Sequence, residues 1–267
     1  LARVVGKEYG NVLLRKEQYR ISDDEKRSVA YAKNMIVGKV FNSRWSIERT
    51  LRDHTYRVDA EKMKQVSNNL YETLPKLDSV SGLDELRGIE GKAAEQYFSV
   101  LNDMILNQKE DFAFTRRNRR PPLDNINAIL SFAYTILAGD CANALSSVGL
   151  DPYVGFMHGD RPGRTSLALD LMEELRPVLA DRFILTLINT KAIQAVHFEK
   201  QKDNAVLLND DGRKVFFNAW QNHKKETITH PYLKEKIEWG LVPYVQALLL
   251  ARTIRGDIDE YPPFLWK

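Results

Sequence analysis

The sequence has 267 residues, 43% of them hydrophobic, with 39 basic against 36 acidic side chains and a formal charge of +3. That size and hydrophobic share suffice for one large domain, or one domain with an appendage, and the near-balance of charge permits an anionic partner without demanding one. The single cysteine, Cys141, excludes an intramolecular disulfide framework and a cysteine-rich zinc site, so a reducing cytoplasmic setting is expected, with Cys141 as a small core residue.

The chain opens on leucine, inside what reads as a strand, and the expectation is that its true beginning lies upstream. "LARVV" and "NVLLR" around "GKEYG" fit a hairpin, or the last strands of a β-rich region. "SDDE" from Ser22 to Glu25 reads as a capping box, followed by long helical patterning through "TLR". A helix over 59–74 should end before Pro75, with "KLDSVSG" as a loop, and the next helix includes "GIEGKAAEQYFSVLNDMIL". The basic connection "FTRRNRRPP" leads to a long apolar helix over about 124–148, closed by Gly149. Its longest nearly uncharged stretch, "AILSFAYTILAG", is short of the roughly 20 residues of a bilayer span, so a soluble protein is expected.

The loop "GFMHGDRPGR" at 155–164 follows, then a helix "SLALDLMEELR" up to Pro177 and more helix in "VLADRFILTLIN". "NAVLLNDDGRK" resembles a strand and turn, a helix lies around "VFFNAWQNHKK", and a last helix over 233–255 precedes "DEYPPFLWK". The fold class is therefore mainly α. Residues 21–267 read as a helical domain and 1–20 as the end of a small β-rich domain.

Carboxylates stand where apolar residues belong. The stripe Ala94, Tyr97, Phe98, Leu101, Met104 and Ile105 meets Glu90 when extended back one turn, between Gly88 and Gly91. A frayed helix start is the plainer reading of Glu90. Asp170 and Glu173 share one side of their helix, with Glu174 four residues from Asp170. That spacing also describes a solvated face on which Glu173 pairs with Arg176. His158 alone reads equally as a structural loop histidine. Taken together, one helix carboxylate, one loop imidazole and one or two further carboxylates make a thiolate-free set suited to Mg²⁺ or Mn²⁺, and thus to phosphodiester chemistry. Arg116, Arg117, Arg119 and Arg120, with Arg161 and Arg164 after His158, suit a nucleic-acid backbone, although a solvated basic loop has the same composition. Phe112 and Phe114 suit base stacking or the core.

These segments resemble a known family, the CRISPR-associated integrase that captures foreign DNA as new spacers. The likeness runs through "LRGIEGKAAEQYF", "RRPPLDNINAILSFAYTILAGD", "GLDPYVGFMHGDRPGRTSLALDLMEELRP" and "THPYLKEKIEWGLVPYVQALLLAR" to the "DEYPPFLWK" end, which looks most like the subtype I-C branch. The resemblance implies metal ligands at Glu90, His158 and Glu173, a further acid at Asp170, an active-site border of Asn127, Ser131 and Tyr134, and a DNA-contacting base at Arg161. By periodicity alone the border residues equally suit buried polar positions in the bundle. The implied reaction joins protospacer 3′-hydroxyl ends to a leader-repeat boundary by transesterification. Implied partners are double-stranded DNA, a second copy of the chain, a small ferredoxin-like adaptation protein and a RecB-like iron-sulfur nuclease. The family begins with a β-rich dimer-building domain, of which the resemblance leads us to expect only the last strands in this sequence. Two other readings fit the residues: a structure-selective metal nuclease on branched DNA, and a non-catalytic helical DNA-binding scaffold.

Overall fold

The computed structural model describes residues 11–267, and among these it is mainly α-helical. The chain runs α1 (Val12–Ser22), α2 (Glu25–His54), α3 (Ala60–Asp78), α4 (Leu83–Ser99), a short α5 (Leu101–Met104), α6 (Asn125–Ser147), α7 (Ser166–Leu175), a π-helical turn (Arg176–Asp181), α8 (Arg182–Asn189), α9 (Asp210–Lys225) and α10 (Val242–Arg255). Two small antiparallel ladders interrupt it. β1 (Phe198–Lys200) pairs with β2 (Val206–Leu208), Phe198 opposite Leu208, and β3 (Thr227–Thr229) pairs with β4 (Lys236–Glu238), Thr227 opposite Glu238.

Side-chain caps start the main helices. Asp24, Asp59, Asp124 and Asn209 accept from the N–H of Arg27, Lys62, Asn127 and Gly212, each worth about 1 kcal/mol of helix stability. The 30 residues of α2 reach about 45 Å and form the spine, against which α3, α4 and α7 pack. On the far side of α7 lies α6, itself covered by α10. Where α2 crosses α7, a Cβ on Gly38 would stand 2.7 Å from Glu174 Cβ, so only glycine permits this approach. Residues of the 260–266 segment are laced into the same crossing: Asn42 Nδ2 donates to Phe264 O at 2.7 Å, Trp266 N donates to Asn42 Oδ1 at 2.9 Å, and Asn34 Nδ2 donates to Tyr261 O at 3.0 Å.

Several boundaries differ from the sequence expectation. "NVLLR" is not a strand: 12–15 open α1, whose buried Leu14, Gln18 and Ile21 give a helical spacing that a five-residue apolar window hides. "LARVV" lies outside the described residues. Asp24, not Ser22, caps α2, and the Ser22 hydroxyl donates instead to Gly155 O at 2.8 Å. Pro75 does not end its helix: α3 continues to Asp78 and forgoes the one bond that an N–H at position 75 would have donated to the carbonyl of Tyr71. The stripe expected through Ile105 breaks at Val100, between α4 and α5. Residues 233–241 hold β4 and a 3₁₀ turn, so the last helix starts at Val242. Phe112 and Phe114 are buried, the latter stacked on Phe98 at 5.6 Å, and so they belong to the core.

Helix α6 has 23 residues, and its most apolar window has a mean hydropathy of 1.4, so length alone does not separate it from a membrane span, contrary to the sequence estimate. Its packing against α7 and α10 makes it a core helix of the bundle. Gly149 closes it at φ +88°, and Cys141 is fully buried, both as expected.

Candidate active site and nucleic-acid groove

Glu90 stands in the middle of α4, not at a frayed end, and its side chain is 22% exposed. Gly88 and Gly91, on the same helix, have open space where a Cβ would be. From α7 comes Glu173, 2% exposed, beside Asp170 at 1% and Glu174 at 0%. The solvated-face reading of these acids is therefore excluded.

Each acid of α7 has its own environment. Asp170 accepts four N–H donors: Phe156 N at 2.6 Å and Met157 N at 3.0 Å on Oδ2, and His158 N at 3.0 Å and His158 Nδ1 at 2.5 Å on Oδ1. It thereby shapes the histidine loop and fixes the imidazole with Nδ1 carrying the proton toward Asp170, leaving Nε2 to face Glu173 Oε1 at 4.0 Å. The loop is tied down from further sides. Gln18 Nε2 donates to Asp151 O at 2.7 Å and Val154 O at 2.8 Å, and Arg87 of α4 donates to Met157 O at 2.6 Å.

Glu173 is the charged hub. Burial pushes its carboxyl up, but Arg176, Lys39 and His158 outweigh that and bring it to about 2. Arg176 Nη2 lies 3.0 Å from Oε1 and Lys39 Nζ 2.6 Å from Oε2. The Glu173–Arg176 pair considered from sequence thus exists, buried rather than at the surface. Lys39, on α2, also ion-pairs with Glu90. The chain's own ammonium therefore stands between the two carboxylates. Glu174 points the other way, accepting from Phe264 N at 2.7 Å, Gln246 Nε2 at 2.9 Å and Tyr261 OH. Burial raises its carboxyl to about 7, against the pull of those donors.

Beside His158 and Arg176 opens a cavity of about 1050 Å³, also lined by Tyr134, Arg117, Arg119, Arg120, Arg161 and Arg164. Of the sequence-predicted arginines only Arg116 is absent from its wall. Asn127, Ser131 and Tyr134 share the face expected of them, and that face holds Arg117. The guanidinium donates to Asn127 Oδ1 at 2.7 Å and Ser131 Oγ at 3.0 Å, and lies 5.5 Å from the centroid of the Tyr134 ring. Arg176 lies 5.1 Å from the same ring, whose hydroxyl donates to Asp181 at 2.6 Å. Asp181 is 2% exposed, and burial lifts its carboxyl to about 6, partly offset by Tyr134 and Arg176. The π-helical turn places both ends of this linkage, with Arg176 at its start and Asp181 at its end.

Sequence reasoning missed Lys39 and Asp181. For Lys39 a local signal exists: it is the one charge within the otherwise apolar run "MIVGKVF". Nothing local marks Asp181.

The described residues contain no group of three His, Cys, Asp or Glu side chains gathered as a ready metal cage. The donor chemistry nevertheless fits a hard cation. Two carboxylates converge on one positive atom, with an oriented imidazole nitrogen alongside and no thiolate.

A family model described as "CRISPR associated protein Cas1" matches residues 1–222. The chain is 51% identical over 270 residues to "CRISPR-associated endonuclease Cas1 2" of Rhodospirillum rubrum, covering all of this chain and 78% of that protein. It is 43% identical over 255 residues to "CRISPR-associated endonuclease Cas1" of Leptospira interrogans, covering 96% of this chain and 100% of that one. In fold it is similar to "Casposase bound to integration product", with a TM-score of 0.85 at 24% identity over 100% of this chain and 72% of that structure's chain.

Proposed function

The chain belongs to the Cas1 family, and from that premise we propose that it is a divalent-metal-dependent DNA endonuclease and integrase of CRISPR adaptation. Its reaction joins protospacer 3′-hydroxyl ends to a leader-repeat by transesterification. The observation that carries this reading is the convergence of Glu90 and Glu173 on one cation position beside His158, at the edge of an arginine-lined cavity.

In this reading Glu90, Glu173 and His158 Nε2 hold Mg²⁺ or Mn²⁺, which when bound lowers the pKa of the attacking hydroxyl and offsets charge developing on the phosphoryl oxygens. Asp170 keeps the imidazole in the tautomer whose Nε2 lone pair is free. Arg176 holds one Glu173 oxygen, so the carboxylate presents a defined edge. Arg117, Arg119, Arg120, Arg161 and Arg164 bind phosphate oxygens and set the DNA against that edge. Tyr134, anchored on Asp181, keeps Arg117 and Arg176 from drifting apart. A second copy of the chain, a small ferredoxin-like adaptation protein and an iron-sulfur nuclease are the proposed partners.

The test is strand transfer. A labelled protospacer and a repeat plasmid are incubated with Mn²⁺, the ferredoxin-like partner and either wild type or Glu90→Gln. Joined product from wild type alone is expected. Water-cleaved product without joining replaces integration by a branched-DNA nuclease activity. Joining by both proteins refutes the role of Glu90, and no DNA chemistry from either leaves only a DNA-binding scaffold.

A further inference from the structure

Lys39 lies between the carboxylates of Glu90 and Glu173, on Oε1 of the first and, at 2.6 Å, Oε2 of the second. The Lys39 side chain is 11% exposed and that of Glu173 3%, so these charges have shed most of their water and their mutual attraction is weakly screened. Arg176 holds the other Glu173 oxygen at 3.0 Å. Two carboxylates thus face two cations of this chain, and the local charge is balanced. A divalent ion on the same carboxylate oxygens would stand a few ångströms from the Lys39 ammonium, where like charges repel strongly.

A displaced ammonium needs another anion. The neighbouring acids of α7 are spoken for: Asp170 is saturated by four N–H donors, and Glu174 is engaged with Tyr261, Gln246 and Phe264 on the opposite side. Lysine's flexible four-carbon stem lets the head swing while the backbone stays fixed beside Gly38 at the α2–α7 crossing. The arginine-lined cavity reaches this site through His158 and Arg176, and a phosphodiester bound there would supply a fresh anion for the displaced ammonium.

We infer that Lys39 is an exchangeable counter-ion: it fills the cation position of Glu90 and Glu173, yields it to a divalent ion, and moves to the phosphate of bound DNA, so that metal and DNA load together. The inference rests on the metal-dependent reading above. By linkage, DNA raises metal affinity by the same factor as metal raises DNA affinity.

The experiment measures Mn²⁺ binding by calorimetry and electron paramagnetic resonance. Wild type, Lys39→Gln and Glu90→Gln are each titrated with and without a duplex lacking reactive 3′-hydroxyls. Wild type is expected to bind Mn²⁺ about tenfold tighter when DNA is present. Without DNA, Lys39→Gln is expected to bind Mn²⁺ about tenfold tighter than wild type and to gain little more from the duplex. Equal or weaker Mn²⁺ affinity in Lys39→Gln, or an undiminished gain from DNA, overturns the counter-ion role. If Glu90→Gln leaves Mn²⁺ binding intact, the metal reading itself has failed, and that variant separates the two failures. A Lys39→Gln protein that unfolds is refolded with Mn²⁺: recovery supports the exchange, and no recovery refutes it.

Discussion

Replacing Asp170 with asparagine asks whether one carboxylate sets both the shape of the histidine loop and the orientation of its ring. Four N–H donors converge on its two oxygens at 2.5 to 3.0 Å, and the side chain is 1% exposed. An amide keeps one acceptor oxygen and turns an NH₂ toward the other pair, so either Phe156 N and Met157 N both lose their partner, or His158 N does while the ring shifts its proton and accepts from the NH₂. At about 1–3 kcal/mol for each buried donor left unsatisfied, the expected loss is about 2 kcal/mol when the ring shifts its proton and about 4 kcal/mol when both loop amides are orphaned. For a chain of this length the larger loss lowers the melting temperature by roughly 10 °C. In the orientation where NH₂ meets the ring, the imidazole proton moves to Nε2, and the atom facing Glu173 at 4.0 Å becomes a donor unable to bind metal. Urea denaturation measures the stability, nitrogen NMR of the histidine the tautomer, and calorimetry the Mn²⁺ affinity. Stability within 1 kcal/mol of wild type, together with an unprotonated Nε2, would refute the reasoning, the threshold being the smallest cost of one unsatisfied donor.

Glu174 predicts a pH dependence. Burial raises its folded carboxyl to about 7 from the usual 4.5, so the folded protein keeps a proton that the unfolded chain releases. Its contribution to stability is complete below pH 4.5 and is lost as pH rises through about 7. Glu174→Gln should therefore flatten the stability profile between pH 5 and 7.5, in urea midpoints at about half-unit steps, whereas parallel profiles would contradict the assignment. Arg161→Ala, at an exposed position on the cavity wall, should reduce the slope of log K against log salt by about 0.9 for duplex binding. An unchanged slope would place Arg161 away from phosphate. Gly155→Ala puts a Cβ 2.8 Å from Asp170 Oδ2 and should impair both stability and strand transfer, while Gly159→Ala, with open space around it, should leave the melting temperature unchanged. Similar melting temperatures for the two alanine variants would contradict the packing described.

What the sequence made legible was periodic or chemically conspicuous. The apolar run of α6 was bounded to within a residue at each end by Asp124 and Gly149, because a cap and a left-handed closing residue are local events. Asp170, Glu173 and His158 could be named because acids on an apolar helix and a glycine-flanked histidine are odd in their settings. Their division of labour was not visible. That Asp170 orients while Glu173 faces the cation position depends on which oxygen meets which loop amide, and the loop conformation decides that. Lys39 lies 51 positions from Glu90 and 134 from Glu173, so no window of sequence holds the triad. Pro75 and "NVLLR" misled for the converse reason: a local rule was applied without the tertiary packing that overrides it.

The lacing of residues 260–266 into the α2–α7 crossing bears on how the protein is born. Lys39, Glu90 and Glu173 all precede Phe264 in the chain, and Phe264 grips Glu174 and Asn42 and so fixes the neighbouring helices. A nascent chain can carry Lys39, Glu90 and Glu173 while the crossing that aligns them is still unclamped.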